Sequence, residues 1–263
     1  MTARPVIALL TDFGLQDHYV GSMKGVIAGI CPDAAIIDIT HDVAPQNVRG
    51  AAFELAAAWP SFPPGTVFLV VVDPGVGTDR AAIALRIGST RFVGPDNGVF
   101  DLVLQSRHAD EARRLDNLGI QRPTTSVTFE GRDRFAPVAA WLAAGTPFEQ
   151  VGSTLTSGVR LTWTLPRIQA DRVAGEVMHI DRFGNLITNV ERGLWPLHRP
   201  PAEVWLGECG PIPVVRTYGD APEGSLVAVF GSTGRLEVAL VSGSAAGATR
   251  ARRGAAVHVV PGA

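Results

Sequence analysis

Val67-Phe68-Leu69-Val70-Val71-Val72-Asp73-Pro74-Gly75-Val76-Gly77-Thr78-Asp79-Arg80 is the stretch that decides the fold. Six consecutive apolar residues, four of them valine, read as a strand buried on both faces, as in a sheet covered by helices on each side. The run stops at a carboxylate, Asp73, then turns through Pro-Gly and reaches Arg80. Open α/β sheets bind ligands beyond the carboxyl ends of their strands, so Asp73 and Arg80 are candidates for chemistry. The plain alternative is a turn capped by Asp73 and paired with Arg80, because Asp and Gly are ordinary turn residues.

Working outward, residues 6–10 read as a strand, 19–30 as a Gly-rich helix, 35–39 as a strand and 48–59 as an Ala-rich helix. Downstream, 81–87 and 92–93 read as strands, and 98–104 and 136–144 as helices. This alternation predicts an α/β N-terminal domain with a mainly parallel sheet, over residues 1–166. After Pro166 the texture changes. Short β-like runs at 173–180, 186–190, 202–206, 212–216, 226–230, 236–241 and 256–259 are punctuated by Gly and Pro. They predict a smaller C-terminal all-β barrel domain, residues 167–263.

The 263 residues carry a net charge of −2 and are 46% hydrophobic, enough for a real core. That balance makes no electrostatic case for nucleic acid or an anionic membrane as partner. No apolar run approaches the ~20 residues of a membrane span, and the first residues lack the apolar stretch of a signal peptide. A cytoplasmic protein is expected. Cys31 and Cys209 are far apart, and the six histidines form no ligand-spaced cluster, so neither a disulfide nor a bound metal is expected.

Other segments carry polar groups to the ends of apolar runs. Thr11-Asp12-Phe13-Gly14 puts a second carboxylate at a strand end, where Asp12 could accept two hydrogen bonds from a ribose diol. Neither G-x-G-x-x-G nor G-x-x-x-x-G-K-[ST] occurs, so a phosphate cradle is missing and a nucleoside-like ligand without phosphates fits better. Gly94-Pro95-Asp96-Asn97-Gly98 reads as a structural turn. Glu130, in Phe129-Glu130-Gly131-Arg132-Asp133-Arg134, sits in a loop before a helical run and either faces a pocket or is solvated. Asp133 caps that helix or pairs with an arginine. Asp181-Arg182-Phe183-Gly184-Asn185-Leu186-Ile187-Thr188-Asn189 offers an asparagine amide suited to an adenine edge, or a plain hairpin turn. Ser232-Thr233-Gly234-Arg235-Leu236-Glu237 and Ser242-Gly243-Ser244-Ala245-Ala246 are small, polar edges that also read as ordinary loops.

Taken together, the chain resembles the S-adenosylmethionine (SAM) hydroxide adenosyltransferase, or SAM hydrolase, family, related to the SAM-dependent fluorinases and chlorinases. The resemblance rests on Thr11-Asp12-Phe13-Gly14, Asp38-Ile39-Thr40-His41, Val72-Asp73-Pro74-Gly75-Val76-Gly77, Gly94-Pro95-Asp96-Asn97-Gly98, Gly131-Arg132-Asp133, the Asp181–Asn189 segment and Gly243-Ser244-Ala245-Ala246, in that order. It implies hydrolysis of SAM to adenosine and methionine by attack of water or hydroxide at the ribose C5′, with no cofactor and no metal. It also implies a homotrimer, with SAM between the N-terminal domain of one subunit and the C-terminal domain of its neighbour. A sulfonium is already a good leaving group; what such an enzyme must supply is an oriented, partly desolvated water.

By the same resemblance, Asp73, Arg80 and a histidine would hold that water. The family pattern is Phe-His-Gly-Arg-Asp, and this chain has Glu130 at the histidine position. Glu130 either accepts a hydrogen bond from the water and acts as base beside the like charge of Asp73, or pairs with Arg80 and withdraws it, leaving a SAM or adenosine binder without turnover. The resemblance further assigns Asp12 to the ribose hydroxyls, Asn185 and Tyr218 to adenine, Asp181 and Ser232 to the methionine amino and carboxylate groups, and Glu237 and the Leu240 backbone to the wall. Gln46 and Thr233 stand where the halogenases carry Trp and Arg. With Asp73 in place of an aromatic, these departures point away from halide chemistry, since an anion beside a carboxylate is disfavoured. Halogenation stays as a third reading.

Overall fold

In the computed structural model, residues 4–123, 126–169, 171–194 and 200–262 are described; Met1-Thr2-Ala3 and His198 lie outside them. The chain divides into two compact units, Met1–Leu161 and Thr162–Ala263. The first unit runs β1 (Val6–Thr11), α1 (Tyr19–Ile30), β2 (Ala35–Thr40), α2 (Val48–Ala58), β3 (Val67–Val71), β4 (Ala82–Ile87), β5 (Thr90–Pro95), α3 (Asp101–Ser106), β6 (Glu111–Arg114) and α4 (Ala136–Ala143).

These strands form one sheet in the order β2-β1-β3-β5-β4-β6. β1 is parallel to β2 and β3, and β3 to β5, but β4 runs antiparallel to both β5 and β6. The sheet is therefore mixed, with three parallel pairings and two antiparallel ones. Only Gly88 and Ser89 separate β4 from β5, and two residues close a hairpin whereas a parallel crossover needs a dozen or more. β6 escapes sequence reading because Glu111, Arg113 and Arg114 show no apolar alternation; it is a charged edge strand.

The alternation of β3 builds both cores. Val67, Leu69 and Val71 join Ile7, Leu9, Met23, Ile27, Phe135 and Leu142 on the α1/α4 face. Phe68, Val70 and Val72 join Ala8, Leu10, Leu55, Phe92, Phe100 and Val103 on the α2/α3 face. Every residue from Val67 to Val72 is thus buried, and each large side chain so placed contributes ~1.5–3 kcal/mol. Phe68 and Phe92 stack with centroids 5.1 Å apart. A side chain at Gly94 has no room: a Cβ there would lie 2.4 Å from the Val70 carbonyl oxygen and 3.0 Å from the Phe100 ring.

The second unit is β7 (Arg167–Ile168), β8 (Val173–Ile180), β9 (Leu186–Glu191), β10 (Pro201–Leu206), β11 (Cys209–Pro213), β12 (Leu226–Phe230), β13 (Arg235–Leu240), α5 (Ala245–Thr249) and β14 (Ala256–Pro261). Its antiparallel sheet has the order β11-β10-β14-β8-β9-β13-β12, with β7 on β8. A bridge between Val214 and Ala228 brings the two ends together, so the sheet nearly closes into a barrel. Val177, Leu186, Val204, Leu206, Ile212, Leu236, Val238 and Val257 fill it. Cys31 and Cys209 are free thiols. No helix among the described residues is long and apolar enough to cross a membrane.

Candidate functional site

At the carboxyl end of β3 the buried run gives way to Asp73, and the turn after it returns Arg80 to the same carboxylate. Arg80 Nε donates to Asp73 Oδ1 at 2.8 Å, and Nη2 donates to Asp73 Oδ2. Both side chains are largely out of water, at 10% and 6% exposure. Arg80 Nη1 donates to the Ala81 carbonyl at 3.1 Å, and the guanidinium sits 5.3 Å from the Phe135 ring centroid. The fork is thereby fixed on three sides.

Glu130 arrives from fifty residues away and accepts from the same Nη2 of Arg80. Its other oxygen meets Arg134 Nη1 at 2.7 Å. Burial alone would ease proton loss from Arg80, but the Asp73 and Glu130 carboxylates outweigh it and hold the guanidinium charged. Glu130 stands at the start of a wide turn, Gly131–Phe135, closed by Ala136 N–H donating to the Gly131 carbonyl; such π turns recur at functional sites. Gly131 is tight, with an added Cβ lying 3.2 Å from Met23 Sδ and 3.3 Å from Phe129. Glu130, Asp133, Arg134 and Gln121 line a cavity of about 470 Å³.

Asp12 follows β1. One of its oxygens accepts from the Gln46 backbone N–H at 2.7 Å, with Gln46 held at φ +64°. The neighbouring Thr11 hydroxyl bonds His41 Nδ1 at 2.8 Å, and His41 Nε2 lies 3.1 Å from Asp38, which also meets Lys24 at 2.6 Å. Burial pushes the Asp38 carboxyl up, and Lys24 and His41 overcome it to hold the group low. Two of the sequence motifs, around Asp12 and Asp38, are thus one network. Phe13, beside Asp12, meets Phe129, beside Glu130, edge-on at 6.1 Å, and Tyr19 packs on both.

Asn97, read from sequence as part of a structural turn, holds the scaffold of this site. Its amide donates to the Val72 carbonyl at 2.8 Å, and the Asp96 N–H donates to the Ala81 carbonyl at 2.9 Å. One short loop therefore grips the residue before Asp73 and the residue after Arg80. Burial raises the Asp96 carboxyl, although it accepts the Val159 N–H at 2.8 Å. Nothing local in the sequence signals these partners.

The second unit carries its own constellation. Asp181 caps the β8–β9 hairpin: Oδ1 accepts from the Phe183 and Asn185 N–H groups at 2.9 and 2.8 Å, and Oδ2 from the Asn185 amide at 2.9 Å. Gly184, at φ +84°, lies where a Cβ would fall 2.0 Å from Ser244 Oγ, so this hairpin and the Gly243–Ala246 motif need each other's small residues. Tyr218 donates its hydroxyl to buried Glu237. Burial raises both groups, and the charge of Asp181 raises each further. Asp181, Tyr218 and Glu237 thus share one electrostatic neighbourhood, with Asn185 bound to Asp181. Ser232 is exposed in the β12–β13 turn. Leu240 turns its side chain to the barrel core, and its carbonyl accepts the Gly243 N–H at 2.9 Å. Among the described residues no group of three His, Cys, Asp or Glu is placed to hold a metal ion.

Comparison with known proteins shows the family. Residues 7–152 match the SAM hydroxide adenosyltransferase N-terminal domain and residues 175–258 its C-terminal domain. The chain is 42% identical to a Thermus thermophilus protein described as (R)-S-adenosyl-L-methionine hydrolase, covering 98% of this chain and 100% of that one. It is 31% identical to a Nocardia brasiliensis fluorinase over 98% of both chains. Among solved structures, an uncharacterized conserved protein from Thermotoga maritima matches with a TM-score of 0.91 at 41% identity, covering 97% of this chain and 99% of that one.

Proposed function

This chain belongs to the SAM hydroxide adenosyltransferase family, and on that premise we propose that it hydrolyses SAM to adenosine and methionine. The observation that carries the proposal is the fixed Asp73–Arg80 pair at the end of a buried strand, with Glu130 against the same guanidinium. Water attacks the ribose C5′ while the C5′–S bond breaks, so the sulfonium leaves as the neutral thioether of methionine. The attacking water gives up one proton, for which the carboxylates of Asp73 and Glu130 are the acceptors at hand. Arg80 bridges those carboxylates through one nitrogen and holds them aimed at the same place, and the surrounding apolar packing limits free water. The leaving group needs no acid, and the reaction is proposed without cofactor or metal.

In this reading Asp12 takes the ribose hydroxyls. Asp181, Asn185, Tyr218, Ser232, Glu237 and the Leu240 backbone bind adenine and the methionine end. We propose a homotrimer in which the first unit of one subunit and the second unit of its neighbour complete each site. Its support is that the candidate residues fall into two sets, one per unit. Mixing Asp73→Asn with Asn185→Ala protein tests it, because shared sites restore activity in mixed oligomers and sites within one subunit do not.

One observation favours a second reading, a SAM or adenosine binder. Glu130 does contact Arg80, the geometry in which the arginine is drawn from the water. Halogenation is disfavoured by the Asp73 carboxylate where a halide would have to sit. Incubating the protein with SAM and separating adenosine and methionine decides between these readings. Many turnovers per protein support hydrolysis; binding without product supports the binder; 5′-chloroadenosine that depends on chloride would reinstate halogenation.

A further inference from the structure

The carboxylate of Glu130 lies between two guanidiniums, and only one of them belongs to the Asp73 pair. Oε2 meets Arg80 Nη2, and Oε1 meets Arg134 Nη1 at 2.7 Å. The same Nη2 of Arg80 also serves Asp73 Oδ2. Two carboxylates therefore contend for one nitrogen, and the charges of the four groups cancel only when Arg134 is counted. Without it, two negative side chains, exposed by 6% and 16%, would share a single cation away from water. An uncompensated charge in such a place is costly. Arg80 would then be pulled off Asp73 toward Glu130.

We propose that Arg134 is a positioning residue for the reaction, holding Glu130 so that Arg80 stays committed to Asp73. The inference rests on the hydrolysis reading. Gln121 orients Arg134 in turn, with Oε1 accepting from Nε at 3.2 Å. The wide turn Gly131–Phe135 brings position 134 back over position 130, so the pair is built into the backbone. The competing account is an ordinary, partly exposed i,i+4 ion pair, which contributes little to stability and nothing to turnover.

The test is a cycle of wild type, Arg134→Met, Glu130→Gln and the double variant, with kcat and KM for SAM measured on folded protein of matched thermal midpoint. Arg134→Met is expected to lower kcat about tenfold with KM changed far less, since misplacement of a reacting group is felt in turnover. In the Glu130→Gln background, where no charge needs balancing, the same change is expected to cost less than about twofold by the same reasoning. Arg134→Lys, which keeps the charge, is expected to retain most of the activity. Full kcat in Arg134→Met, or an equal loss in both backgrounds, overturns the proposal. Absence of turnover in wild type overturns the hydrolysis reading and this proposal with it, and that outcome is visible in the first arm alone.

Discussion

The side-chain amide of Asn97 donates a 2.8 Å hydrogen bond to the carbonyl of Val72, the last residue of the buried run that ends at Asp73. Val72 lies beyond the end of β3 and is fully buried, so water cannot replace the amide at its carbonyl. Asn97 also accepts the Val99 N–H at 3.2 Å, so one side chain ties the loop to itself and to the strand end. Asn97→Ala is expected to cost ~1–3 kcal/mol through the orphaned carbonyl, and about tenfold in kcat through loss of Asp73 alignment. Urea unfolding and SAM turnover check the two effects. An unchanged kcat in a destabilised protein would reduce Asn97 to a purely structural clasp.

Asp73→Asn keeps the shape of the side chain but removes the charge that engages Arg80. Loss of a proton acceptor is expected to lower kcat by ~10²–10⁴, with a smaller effect on KM. Arg80→Lys is expected to be nearly as severe, because an ammonium cannot reproduce the two-nitrogen grip on Asp73. Steady-state kinetics on both variants would contradict the assignment if either kept near-full activity.

Gly94→Ala is expected to destabilise the first unit by ~1–3 kcal/mol or more. Both close neighbours, the Val70 carbonyl and the Phe100 ring, belong to buried residues, so the new methyl must push strand β3 or the residue that leads into α3. The denaturation midpoint reads this directly. A fall in turnover larger than the stability loss explains would show that strain reaches Asp73.

Burial raises the Glu237 carboxyl, with the charge of Asp181 adding to it and the Tyr218 hydroxyl opposing it. The folded protein therefore holds this proton more tightly than the unfolded chain does. Its contribution is complete below the unfolded glutamate value and is lost as pH rises through the raised folded value. Glu237→Gln should flatten this part of the profile and raise the midpoint at neutral pH relative to wild type, while Asp96, also raised by burial, keeps a residual slope. Thermal midpoints between about pH 4 and pH 8 check it, and identical slopes in the two proteins would refute it.

Much of the scaffold was legible because it is written in short-range pattern. The run at 67–72 shows its double burial in composition alone. The helix at Tyr19–Ile30 and the strand at Val173–Ile180 lie at the expected residues. The direction of β4 was not legible from alternation, since parallel and antiparallel strands share it; the two-residue link to β5 settles it. β6 was missed because its residues are charged.

The sequence by itself determined which residues could do chemistry: carboxylates at strand ends, a paired arginine, and a glutamate where the resembling family carries histidine. Only the tertiary structure decided what those groups touch. Arg80 and Glu130 are fifty residues apart, and Asn97 and Val72 twenty-five. Such contacts depend on how two helices and a sheet pack to within a few tenths of an ångström, information that residue spacing along a chain does not contain. The bracketing of Glu130 by two arginines is of that kind, since it needs a strand end, a turn and a helix start to meet at one carboxylate.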